Sequence, residues 1–211
     1  MREYHLEPVP GLPERLPDGE RVLWRGAPDW RILARKALHT RLVAIYFAAL
    51  ALWSVGIAAT DGATSLARVG AALVPPLVSG AALLGVLYLF AWISAKTSVY
   101  TLTNKRVVLR VGAAIPKAIN IPFAIIEGAD LKAYADGGGS IALTLEGEQI
   151  NYFNLWPHAR PGRFTPAQPT LRALADPAPV AKLLHEAWSA ARARAEPAPA
   201  AVERVRETEP A

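Results

Sequence analysis

LVAIYFAALALWSVGIAAT (residues 42–60) contains no ionisable side chain. At about 1.5 Å per helical residue its 19 residues cover roughly 28 Å, close to the ~30 Å of a bilayer's hydrocarbon core. A second uncharged run, residues 69–95, follows after eight residues (61–68) and is broken only by Pro75-Pro76. Two such runs in tandem predict a transmembrane hairpin with helices over 42–60 and 69–95 and a short loop at 61–68. Pro75 and Pro76 lack backbone donors and are expected to bend or start the second helix.

The flanking charges orient the hairpin. Arg25, Arg31, Arg35, Lys36 and Arg41 precede it, and Lys96, Lys105, Arg106 and Arg110 follow, whereas the loop carries Arg68 and Asp61. This asymmetry places both termini in the cytoplasm and the loop outside. The first 41 residues are polar and charged, so no cleavable signal is expected there. The spans hold no ionisable group for a proton or ion pathway and no histidine to bind a pigment, since His39 lies just outside the first. They read as an anchor and a packing surface.

Composition agrees. The chain has 211 residues, 52% hydrophobic and 19% charged, with no cysteine and a net charge of +5. Disulfide scaffolds, CxxC redox centres and cysteine zinc sites are excluded. His5, His39, His158 and His185 are too scattered for a local metal motif, and no GxSxG elbow, P-loop or HExxH is present. The positive charge is spread along the membrane edge and not gathered into one stripe, which argues against nucleic acid.

After Thr97 the pattern changes to short β-type runs: 98–103, 106–111, 118–122, 125–134, 140–146 and 149–156, with Gly137-Gly138-Gly139 and Gly147-Glu148 as punctuation. Six short strands predict a small antiparallel sandwich or barrel. Val22-Leu23-Trp24, within 20–26, offers a further strand that would make the hairpin an insertion in this domain; a membrane-surface segment is the other reading of the same residues. Pro157, Pro161, Pro166 and Pro169 predict an extended connector. Asp176-Pro177 then starts a helix whose Val180, Leu183, Leu184, Ala187, Trp188 and Ala191 share one face. The fold class is thus α+β: a two-helix transmembrane hairpin plus a cytoplasmic β-barrel over 96–195, capped by an amphipathic helix. Residues 196–211 are Ala, Pro and charge, and read as a disordered tail.

Gly19, Glu20, Leu23, Trp24, Gly26 and Pro28 before the hairpin, and Tyr100, Leu102, Thr103 and Arg106 after it, resemble the motifs of bacterial membrane-anchored pleckstrin-homology-like proteins. Residues 7–30 and 154–174, the latter containing WPHARP, are most similar to the photosynthetic complex assembly proteins of purple phototrophic bacteria. The resemblance covers roughly residues 7–190. It implies a pleckstrin-homology-like barrel in a multi-pass protein of the bacterial inner membrane, with no enzymatic activity and no cofactor. The implied role is assembly of the reaction centre and its antenna. The partners are then the membrane, reaction-centre subunits (H among them), antenna proteins and further copies of the chain.

Trp156, His158, Arg160, Arg163 and Phe164 are the residues expected to contact a partner, because arginine and aromatic side chains on a proline-stiffened loop bind at low ordering cost. Lys96, Lys105, Arg106 and Arg110 form the expected membrane-surface basic set. They support the alternative function, a membrane-anchored module that binds anionic lipid.

Overall fold

A computed structural model of the chain describes residues 16–60, 65–112, 117–147 and 150–195. The tail at 196–211 and part of the loop at 61–68 fall outside the described residues.

The chain opens with β1 (Val22–Gly26) and a short helix α1 (Trp30–Lys36). Asp29 caps α1 by accepting the amides of Arg31 (2.7 Å) and Ile32 (3.2 Å). Two long helices follow, α2 (Thr40–Thr60) and α3 (Leu66–Thr97), both long and apolar enough to cross a membrane. They pack on each other: Phe47 lies against Gly80, where an added Cβ would stand only 2.8 Å from the ring. Small residues permit that approach in apolar helix pairs. Pro75 and Pro76 sit inside α3, which starts earlier, at Leu66, with Ser65 accepting the Arg68 amide. The proline pair therefore does not start the helix.

The hairpin joins a domain with seven strands among the described residues. β1, β2 (Val99–Thr103), β3 (Arg106–Val111) and β4 (Lys117–Pro122) form one antiparallel sheet in that order. β5 (Ile126–Ala133), β6 (Gly139–Leu145) and β7 (Thr170–Leu174) form a second. β1 pairs with β2 across the whole helical hairpin, with Gly26 opposite Tyr100 and Val22 opposite Thr103. The hairpin thus leaves and re-enters the sheet at the Gly26/Tyr100 end. Gly26 has no Cβ because the Trp24 indole occupies its place, 2.3 Å from where that atom would stand. The helix α5 (Pro177–Ala195) closes the barrel, seating Val180, Leu184 and Ala187 against Tyr100, Leu102, Val107, Leu109, Ile121, Ile141 and Leu143. Leu183, Trp188 and Ala191 pack at its margin.

Two sequence expectations are corrected. The stretch 149–156, read as a strand, forms none over its described residues 150–156: Tyr152–Leu155 is a single helical turn, α4, with Leu155 buried beside Ala159 and Ala167. A strand that the sequence pattern did not suggest, β7, follows directly on the proline-rich connector. β7 escapes pattern reading because it is five residues long, follows directly on a proline-rich run and carries Thr170 and Arg172, which read as exposed although all five residues are buried.

The second uncharged run lies within the single helix α3, whose C-terminal part also packs on the domain. The antiparallel contact of Phe47 with Gly80 brings Thr40, seven residues back along α2, level with Leu87, seven residues on along α3. Tyr88–Thr97 therefore extends about 15 Å past the start of α2, at 1.5 Å per residue. There Ala91, Ser94 and Ala95 are buried, and the domain covers them. One side of this part of the run is therefore uncharged because it packs inside the domain.

Trp188→Ala is expected to destabilise the protein by about 2 kcal/mol. That is below the 3–5 kcal/mol typical of a fully buried tryptophan, because Trp188 is only half-buried. Thermal unfolding in detergent measures it, and an unchanged midpoint would mean that α5 does not rely on this contact.

Candidate functional site

The WPHARP stretch lies where α3 runs into β2, and its histidine is interior. His158 is fully buried, a correction to its expected role in partner contact. Its ring lies between Tyr100 of β2, whose hydroxyl is 2.6 Å from Nδ1, and Ser98 at the end of α3, whose Oγ is 3.0 Å from Nε2. The Arg172 backbone amide donates to the Tyr100 hydroxyl (3.2 Å), and the Ser98 hydroxyl donates to the Ser94 carbonyl (2.7 Å). A neutral imidazole protonated at Nε2 satisfies the whole chain in one direction: Arg172 N–H to Tyr100, Tyr100 to His158 Nδ1, His158 Nε2–H to Ser98, Ser98 to Ser94. This tautomer is assigned from the network.

Burial and the neighbouring Arg172 charge together depress the His158 pKa to about 3. Burial likewise pushes the Tyr100 phenol up and the Arg172 guanidinium down. The Arg172 guanidinium is held by carbonyls, those of Pro157 (2.8 Å) and of Lys36 at the end of α1 (3.2 Å). One buried cluster therefore joins α1, α3, β2, the 155–159 segment and β7. It is the lock between helical hairpin and barrel.

A second clamp lies outside it. Asp136, in the β5–β6 turn, pairs with Lys36 (2.7 Å), Arg35 (3.3 Å) and Arg41 (3.5 Å). Lys36, hydrogen-bonded to it, holds its carboxyl below the usual carboxylate range, and the Arg35 charge adds to this. Around α3 the domain grips at one level: Trp30 meets Tyr88 edge-on at 6.2 Å, and Trp156 lies over Phe90 at 5.4 Å.

The other residues expected to touch a partner are divided by the structure. Trp156 is 46% exposed beyond its contact with Phe90, and Phe164 is 66% exposed beside Tyr152. Arg163 is exposed. Arg160 pairs with Asp130 of β5 (2.5 Å) and donates to Gln168 (3.0 Å), which fastens the loop to the second sheet.

The basic set is divided too. Lys105 and Arg106 follow β2, at the opposite end of the strand from α3, and Arg106 is paired with the buried Glu20 carboxylate (2.7 Å). Both are removed from the hairpin end, a correction to their expected membrane-surface position. Arg110 lies opposite Val99 at the hairpin end, and Lys96 stacks on Trp92 in the last turns of α3.

Sequence reading missed Ser98, Tyr100 and Arg172 as members of the lock. Their neighbours in space are sixty to seventy residues distant in the chain, so no local spacing marks them.

A cleft of about 610 Å³ opens between α5 and the β4–β5 corner, with Phe123, Ile126, Trp188 and Ala191 as its floor and Lys105, Glu127, Glu146 and Arg192 at its rim. Among the described residues no group of three His, Asp or Glu side chains could hold a metal.

A pH dependence follows from His158. Its folded-state pKa is depressed from about 6.5, so the unfolded chain binds the proton more readily, and the stability it contributes is lost as pH falls from about 6.5 towards 3. The expected slope approaches 1.4 kcal/mol per pH unit within that window. His158→Gln, which cannot titrate, should flatten it. Denaturant unfolding at pH 7 and 5 measures the difference, and an equal pH response in both proteins would refute a neutral buried imidazole.

Residues 42–188 match the family model described as "Bacterial PH domain". The chain is 36% identical, over 190 residues, to an "Uncharacterized 23.7 kDa protein in puhA 5'region" of Rhodobacter capsulatus, covering 89% of this chain and 88% of that one. A solved pleckstrin-homology protein of the duf1696 family from Shewanella loihica aligns over 44% of this chain and 68% of its own, with 11% identity. Its TM-score of 0.29 is too low to bear on the fold. The family match spans well over half of the sequence and the relative matches nearly end to end, so the chain belongs to the bacterial PH domain family.

Proposed function

We propose that the chain is a PuhB-type assembly factor of the photosynthetic reaction centre and its antenna, without catalytic activity. It is anchored in the bacterial inner membrane by α2 and α3 with both termini in the cytoplasm. The observation that carries this reading is the match to a relative whose printed name places it in the puhA 5' region, since puhA is a photosynthesis gene and the match covers nearly the whole of both chains. The architecture fits it: a barrel rigidly joined to two membrane-length helices can hold a membrane subunit, H among the candidates, by its helices and its soluble face at once. Trp156, Arg163 and Phe164 are the exposed loop residues that would meet such a partner.

Deleting the gene is expected to lower assembled reaction centre without abolishing bacteriochlorophyll synthesis. Absorption spectra of the membranes test this, and normal reaction-centre and antenna bands would overturn the assembly role. Complementation with Arg163→Glu plus Phe164→Ala, which alters exposed side chains only, should restore the bands in part.

The topology has its own test. Reporter fusions at Gly62 and after Ala195 are expected to be active outside and inside the cytoplasm respectively. A periplasmic reporter at Ala195 would overturn the orientation.

A further inference from the structure

We infer that α1 and the end of α3 form a docking strip for anionic phospholipid headgroups, separate from the β2–β3 basic hairpin where the sequence pattern would put lipid contact. The inference rests on the membrane-anchored reading above. Tyr88, Trp92 and Lys96 recur every four residues and so share one face of α3. Trp30 meets Tyr88 at 6.2 Å, the Arg31 guanidinium lies 5.3 Å from the Trp30 ring centre, and the Lys96 ammonium lies 4.4 Å from that of Trp92. The result is a continuous strip, Arg31–Trp30–Tyr88–Trp92–Lys96, with a cation on an indole at each end.

Four observations select a headgroup layer as its occupant. The strip begins at Tyr88, level with the start of α2, where the paired helices end and one helix enters the polar domain. Helical side chains lean towards the helix N-terminus, which for α3 is the side of the apolar span, so Trp92 and Lys96 are directed back over Tyr88. The charge is uncompensated: among the described residues no carboxylate pairs with Arg31 or Lys96. Asp136 is engaged by Lys36, Arg35 and Arg41, and Asp29 by the α1 amides. Tyr88 and Trp92 stay 39% and 42% exposed, which suits amphipathic rings at the boundary between acyl chains and headgroups. By contrast, the distal Lys105 bonds to the Asp18 carbonyl, and Arg106 is paired with Glu20.

The full chain, reconstituted in phosphatidylcholine vesicles with trace spin-labelled phosphatidylglycerol or spin-labelled phosphatidylcholine, tests this. Each exposed cation, facing its own headgroup, should give about a fivefold preference for phosphatidylglycerol among the motionally restricted lipid, weakened at high salt. Arg31→Gln with Lys96→Gln should bring the ratio close to one, whereas Lys105→Gln should leave it unchanged. A ratio unaltered by the double substitution, or lowered as much by Lys105→Gln, would overturn the strip. No restricted lipid of either kind, with the protein failing to float with the vesicles, would overturn the membrane anchor itself.

Discussion

Everything in this molecule turns on how α3 passes from an apolar helix into β2 without a flexible joint. The last helical carbonyls and the first strand residues would be left with unpaired polar groups in a buried place, a cost of about 1–3 kcal/mol each. Ser98, Tyr100 and His158 remove that cost by closing a directed chain of hydrogen bonds between Ser94 and Arg172. Because the histidine is buried and neutral, it can accept on one side and donate on the other, and so ties the end of the helix to the sheet.

That junction gives the surrounding elements their places. Arg172 can occupy the middle of a fully buried strand because the carbonyls of Pro157 and Lys36 receive its donors. A buried guanidinium without such partners would be prohibitively costly. The same contacts bring the end of α1 and the 155–159 segment to α3 from two sides, where Trp30 and Trp156 meet Tyr88 and Phe90. The Asp136 pairs add a partly exposed and salt-sensitive restraint. The helical hairpin and the barrel are consequently held together from several sides at once.

The WPHARP stretch shows how a local motif can be read correctly as important and wrongly as exposed. Arginine, histidine and tryptophan among prolines look like a binding loop, because polar and aromatic residues in irregular segments usually lie at the surface. His158 goes inward because a second polar group, the Tyr100 hydroxyl, waits for it in β2, 58 residues away in sequence. Trp156 and Phe164 remain largely outside, so the same loop serves the interior through one residue and the surface through its neighbours.

The sequence by itself determined the two apolar helices, the amphipathic α5 and most of the strands, since each rests on periodicity or on a missing charge, both local properties. It also carried the family, through motifs on either side of the hairpin. Only the tertiary structure decided that β1 pairs across the hairpin with β2, that β7 is a strand, and that Tyr88–Thr97 belongs to the domain as much as to a span. These depend on which distant groups satisfy one another. An arginine in a short strand reads as exposed whether or not distant carbonyls wait for it, and an uncharged helical stretch reads the same whether protein or lipid covers it.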